Sequence, residues 1–307
     1  MIRLLAAEAN RLLSRRMIWA VVAGIIATAG LAGVTGYFGM RPPSAADVQQ
    51  QQQMRDQVMA DCTASGASAD DCAQQVKGMV QEVPTHDSVM KNADSMGGTI
   101  GGFLALLLGA SFIGAEYRSG SLGNWLTFVP QRGRVFSAKA LTVAAASLAI
   151  GVLAVGAAGL VTTGFLRLYY PAVGLDAHTL EQAGRTSVIV MVQGLIGFVA
   201  ALIARHTIAA LGVMFGAQII EQIVTGVAQT VRGAEWLIPL MPSANANAFV
   251  QNGYKYQLID LTKIEATGGP TFTDKVLPFA NGAAYVGIGL AVVLAGAYLV
   301  FRRRDVN

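Results

Sequence analysis

The stretch Gly114-Ala-Glu-Tyr-Arg-Ser-Gly-Ser-Leu-Gly-Asn-Trp-Leu-Thr-Phe-Val-Pro-Gln-Arg-Gly-Arg-Val-Phe-Ser-Ala-Lys139 lies between two long apolar runs, carries four basic residues and is punctuated by Gly120, Pro130 and Gly133. Ahead of Pro130 there is room for only a short helix, in which Leu122, Trp125 and Leu126 fall at i, i+3 and i+4 and so share one face. A short amphipathic helix projecting from a membrane needs cover for that face, from headgroups, from the protein itself or from a groove on a soluble partner. The plainer alternative is a solvated basic loop that Trp125 anchors at the interface.

Working outward, the flanking runs point to a membrane. The chain has 307 residues, of which 53% are hydrophobic and only 13% charged, with a mean hydropathy of +0.50. That balance excludes an ordinary soluble domain. A helix rising about 1.5 Å per residue needs roughly 20 apolar residues to cross. Six stretches qualify: 17–38, 96–115, 138–165, 186–204, 207–229 and 277–301. Small residues recur every fourth position at Ala20, Gly24, Thr28, Ala32 and Gly36, and again at Ala283, Gly287, Ala291 and Ala295, as in helix-packing seams. Residues 1–16 read as an amphipathic interfacial helix, with Leu4, Leu5, Leu12 and Leu13 alternating with Arg3, Glu8, Arg11, Arg15 and Arg16. The run that follows is too long for a signal-peptide core and lacks a small-x-small site, so it reads as an uncleaved span. The expected fold is an all-α integral membrane protein of six transmembrane helices.

Basic residues set the orientation. With the N-terminus inside, twelve of the 22 Lys and Arg fall in the short interior segments: Arg3, Arg11, Arg15, Arg16, Arg118, Arg132, Arg134, Lys139, Arg205 and Arg302 to Arg304. Only Glu8, Glu116 and Asp305 are acidic there. Both termini, including the 302–307 tail, are therefore expected in the cytoplasm, together with the 116–137 segment.

The first exterior loop, 39–95, is large, with five consecutive glutamines at Gln49 to Gln53. Val48, Met54, Val58 and Met59 interrupt this run at near-helical spacing, and a second helix-like patch follows, so a helical hairpin clasped by Cys62–Cys72 is expected. Two free thiols are the alternative. A further exterior loop spans 166–185. The long segment 230–276 contains Trp236-Leu-Ile-Pro-Leu-Met-Pro242, too broken for a span and too apolar for a free loop, which suggests a short re-entrant or interfacial helix; the remainder reads as surface loop. Between spans four and five, His206 reads as a surface residue.

One acidic residue, Glu221, lies well inside an apolar run, and Gln218, Gln222, Thr225 and Gln229 accompany it at helical spacing. An ionisable group at that depth needs a partner or water. Two readings stand: the face lines a translocation path, or it forms a buried structural network. No phosphate-binding loop occurs, since none of the six lysines follows a glycine, and neither H-E-x-x-H nor G-x-S-x-G is present. No catalytic or metal site is expected, and nucleic-acid binding is disfavoured because the basic residues sit at membrane edges.

Glu116, two positions before Arg118, then Gly120-Ser121-Leu122, Pro130, Arg132 and Lys139 together resemble the E-x-x-x-G-[ST]-L … P-x-[SR]-x-R … K pattern that follows the second span of ABC-2 type permeases, the membrane subunits of bacterial ABC exporters. The resemblance extends over most of the chain: interfacial helix, six spans, a cytoplasmic element after the second, external helices before the sixth. The enlarged first exterior loop is the departure. The resemblance implies a coupling helix over 116–132 docking on a separate cytosolic ABC ATPase, with Glu116, Arg118, Gly120, Leu122, Trp125, Leu126, Pro130 and Arg132 as coupling residues. It also implies a second permease copy or paralogue, and ATP and magnesium held in the partner rather than in this chain. On the first reading of the Glu221 face, Gln218, Glu221, Gln222 and Thr225 would line the path between the two permeases. The expected location is the bacterial plasma membrane, in contact with lipid. A different class of function, a non-transporting scaffold or sensory subunit recruiting partners through the exterior hairpin and cytosolic helix, fits the same fold. A secondary transporter would call for related halves, and no internal repeat is present.

Overall fold

A computed structural model describes residues 2–66, 68, 72–73, 76, 85–121, 123, 131–171, 177–231, 233–264 and 270–303. In chain order these form α1 (Ile2–Leu13), α2 (Met17–Met40), α3 (Ala45–Ala64), α4 (His86–Arg118), α5 (Arg132–Tyr169), α6 (Ala177–Ala204), α7 (Thr207–Thr230), a 3-10 helix (Glu235–Leu240), α8 (Pro242–Val250), β1 (Tyr254–Ile264), β2 (Pro270–Leu277) and α9 (Phe279–Arg303). Six of the helices, α2, α4, α5, α6, α7 and α9, are long and apolar enough to cross a membrane. The chain is an all-α multi-pass membrane protein, as expected, carrying one small β-hairpin. Helical structure runs past the apolar windows, with α4 beginning at His86 behind a Thr85 cap whose hydroxyl accepts from the Ser88 backbone N–H.

The core is the trio α4, α5 and α6. Small residues let their backbones meet: a Cβ at Gly97 would lie 2.7 Å from Val155 Cα on α5, and one at Gly109 only 2.0 Å from the Gly194 carbonyl oxygen on α6. Without a hydrophobic drive between helices in lipid, such close approach is what holds a bundle together. Phe112, Ile113, Val135, Phe136, Val143, Phe198 and Leu202 fill the space on one side of these contacts.

The other three spans are peripheral. Only 6% of the apolar window of α7 is buried by the rest of the chain, against 56% for α4. α2 docks through its small-residue seam, where Thr28, Ala32 and Gly36 are buried and a Cβ at Gly24 would meet Leu104 at 2.7 Å. The matching seam in α9 does not dock: Gly287, Ala291 and Ala295 are exposed, and α9 instead buries Gly282, Ala297 and Phe301.

Both ends of α9 and α5 identify two poles. At the basic pole the Arg132 guanidinium donates to the Arg302 carbonyl at 3.2 Å, alongside α1 and the 204–207 turn. At the far pole stand α3, α8 and the hairpin. α3 carries a capping box, Ser44 Oγ accepting from Asp47 N at 3.2 Å and Asp47 Oδ2 accepting from Ser44 N at 2.9 Å. It buries no residue, and its last turn leads into the Cys62–Cys72 disulfide. The hairpin replaces part of the expected surface loop. Tyr254, Tyr256 and Leu258 alternate with the exposed Lys255 and Gln257, a period of two that buries one strand face. β1 pairs antiparallel with β2 from Tyr254↔Leu277 to Asp260↔Thr271, with an irregularity before Ile264↔Pro270.

Candidate functional site

Where α4 leaves the bundle, Gly120 adopts a positive φ of 68°, the left-handed conformation that ends a helix and that glycine adopts without a Cβ clash. The chain returns to the bundle at Arg132. Just inside this connection lies a knot of four charges. Lys139 of α5 places Nζ 2.8 Å from Glu8 Oε2 and 2.7 Å from Glu116 Oε2, and also donates to Glu116 Oε1 at 2.9 Å. Arg15, in the turn between α1 and α2, brings a guanidinium nitrogen to 3.7 Å from Glu116 Oε1 and donates to the Ser111 carbonyl at 3.0 Å. Two cations face two carboxylates, so the knot is neutral as a whole. Glu8 and Lys139 are both 0% exposed and Glu116 4%.

The Phe112 ring packs beneath, with Arg15 Cζ and Lys139 Nζ each 5.0 Å from its centroid, a cation–π arrangement. Burial pushes the Arg15 guanidinium below its ordinary value, while Glu116 and Glu8 oppose that shift. Chemically, the knot ties three elements together: α1 through Glu8, the end of α4 through Glu116 and the start of α5 through Lys139.

The sequence-predicted coupling residues divide accordingly. Glu116 points into the bundle, bracing helices rather than the connecting segment. Arg118 is exposed at the end of α4, Gly120 makes the turn, and Arg132 reaches α9. Leu122, Trp125, Leu126 and Pro130 lie outside the described residues. Sequence reasoning missed the burial of Glu8, placed there on the polar face of an interfacial helix. The available signal was a lone acid among four arginines, with Lys139 in the later motif needing a second anion.

On α7 the predicted polar face splits. Glu221 Oε1 accepts from the Ser243 backbone N–H at 2.6 Å, so its carboxylate holds α8. Thr225 Oγ1 is buried with no hydrogen-bond partner among the described residues. Gln218 and Gln222 are exposed, away from the chain. Among the described residues no group of three or more His, Cys, Asp or Glu could hold a metal ion.

A family model described as "ABC-2 family transporter protein" matches residues 2–306. No curated protein matches the chain.

Proposed function

The chain belongs to the ABC-2 family of transporter proteins, and on that footing we propose that it is the permease subunit of an ABC exporter, driven by separate cytosolic ATPase subunits that grip the segment between α4 and α5. Membership implies an ABC ATPase partner in general; this chain has no phosphate-binding loop of its own, so ATP and magnesium would sit in that partner. The observation that carries the proposal is the Glu8–Lys139–Glu116 knot. A push on the 119–131 connection meets a neutral, buried junction and is passed to α1, α4 and α5 together instead of being absorbed by a flexible stem. Leu122, Trp125 and Leu126 are the side chains assigned to the partner's groove. The distribution of basic residues supports placing this pole in the cytoplasm of a bacterium, both termini included.

The periphery supports pairing with a second permease copy or paralogue. Gln218 and Gln222 are exposed among Ile219, Ile220 and Ile223, which are also exposed. Amides at mid-span in contact with lipid are costly, whereas a path between two permeases would wet them. The open seam of Gly287, Ala291 and Ala295 on α9 suits helix contact equally. Glu221, whose carboxylate accepts from the Ser243 N–H, and Thr225, whose hydroxyl is buried, stand beside that path on the same helix and do not line it.

The test is reconstitution of the full chain with an ABC ATPase that co-purifies with it. Export-linked ATPase stimulation in the wild type that is lost in Trp125→Ala, with assembly intact, supports the reading. Undiminished coupling in that variant removes the assigned grip.

A further inference from the structure

Between Ala210 near the basic pole and Ala228 at the far pole, α7 buries no residue against the chain. Its inner half is further held by Phe215, whose ring lies 5.7 Å from that of Phe103 on α4, so the outer half is positioned chiefly by what fixes its far end. At the far pole Ala228 packs in a cluster with Ile238 of the 3-10 helix, Ala244 and Ala248 of α8, and Tyr256, Leu258 and Leu277 of the hairpin, and the side-chain tie from α7 into that cluster goes to α8. Its N-cap residue, Met241, makes no side-chain cap, and Pro242 occupies the first turn, which leaves Ser243 N–H among the orphan donors of the helix start. Glu221 supplies the missing acceptor from α7, at 2.6 Å.

The other end of α8 is held from α6. An Arg185 guanidinium nitrogen donates to the Phe249 carbonyl in the last turn of α8, at 3.5 Å. The same guanidinium lies 4.5 Å over the Phe279 ring, and Phe279 stacks on Phe249 with centroids 5.7 Å apart. Along its length α8 lies flat on α9, where a Cβ at Gly282 would come within 2.5 Å of the Asn245 carbonyl oxygen. Tyr285 of α9 donates to the Leu240 carbonyl at 3.1 Å, just ahead of α8. A carboxylate thus sits at the positive end of the α8 dipole and a guanidinium at its negative end, the favourable sign at both.

We infer that α8 is a strap pinned between α6 and α7, with Glu221 and Arg185 as the two pins, and that Glu221 is a positioning residue setting how far the outer half of α7 stands from α6. The strap belongs to the isolated chain and needs no ATPase. Opening at the far pole then requires either that α7 carry α8 with it or that the Glu221–Ser243 bond break. The carboxylate is therefore a latch on the outer half of the protein and not a free group lining a path.

The test uses the full chain in lipid nanodiscs, spin-diluted with unlabelled protein, with nitroxides at Leu180→Cys and Val231→Cys, both exposed and at the far pole. A second pair, Arg134→Cys and Ile208→Cys, reports the basic pole; the native cysteines are disulfide-bonded and do not label. In Glu221→Ala the far-pole distance lengthens and its distribution broadens, while the basic-pole distance stays. Glu221→Gln, which keeps an acceptor oxygen, stays near wild type. A far-pole distribution in Glu221→Ala that matches wild type, or an equal change at both poles, overturns the strap. Should Glu221→Ala fail to give monodisperse protein, Arg185→Gln tests the other pin, and an unchanged far-pole distance there overturns it as well.

Discussion

Lys139 Nζ donates to Glu8 Oε2 at 2.8 Å across 131 positions of sequence, so the only acid of the first helix is held by a lysine of the third span. That pairing draws α1 out of a purely interfacial role and makes it part of the bundle. Breaking a buried pair by removing one partner leaves a charge without compensation and costs about 3–5 kcal/mol. Lys139→Met, which strands Glu8 and leaves Glu116 only the Arg15 guanidinium at 3.7 Å, is expected to lower thermal stability in detergent by that order. Glu8→Gln, which keeps a hydrogen-bond acceptor and leaves Glu116 paired, is expected to cost less. Equal melting temperatures for Lys139→Met and wild type would show the knot contributes nothing.

The α4–α6 contact makes a second prediction. A methyl at Gly109 would stand 2.0 Å from the Gly194 carbonyl oxygen, a backbone atom that no rotamer change can move. Gly109→Ala should destabilise by about 1–3 kcal/mol, the usual range for overpacking. Gly212, also mid-helix but with nothing within 4 Å, is the control. There the same change is expected to be neutral or to stabilise by up to about 1 kcal/mol through helix propensity. Thermal melts of the two variants side by side decide it, and a larger loss at Gly212 would contradict the packing described.

Asp94 is 1% exposed, and neither carboxylate oxygen has a hydrogen-bond partner among the described residues. A buried polar group in that state is a net loss of roughly 1–3 kcal/mol. Asp94→Asn removes any charge at nearly constant volume and is expected to raise the melting temperature. A lowered one would mean that the carboxylate has a stabilising role.

The capping box of α3 should respond to acid. Hydrogen bonds from the Ser44 hydroxyl and backbone N–H hold the Asp47 carboxyl below its ordinary value. A depressed folded-state pKa gives stability that is present above the unfolded carboxylate range and is lost as pH falls through the folded value. The first turn of α3 should therefore exchange its amides faster on acidification below that range, an effect absent from Asp47→Asn. Exchange that is pH-independent after correction for intrinsic rates would count against the cap.

Much of this was legible in the chain. Six apolar runs specified six spans, because crossing lipid demands a length of apolar helix that no soluble element imitates. The α7 face around Glu221 was recognisable as polar, and the alternation from Tyr254 to Leu258 was a strand signal that went unread inside a stretch rich in loop residues. The Glu221 interaction itself was not legible, since its partner is a backbone N–H, which every non-proline residue possesses.

The sequence by itself determined the membrane-crossing count, the concentration of basic residues at one pole and the small-residue periodicity of α2 and α9, all properties of a single helix. Only the tertiary structure decided which of those two seams would be buried, that Glu8 would turn inward to Lys139, and that Glu221 and Arg185 would meet the two ends of one short helix. The reason is physical. Periodicity says which side chains share a face, but the partner of that face is set by close packing among segments far apart in the chain, where a few tenths of an ångström separate contact from clash.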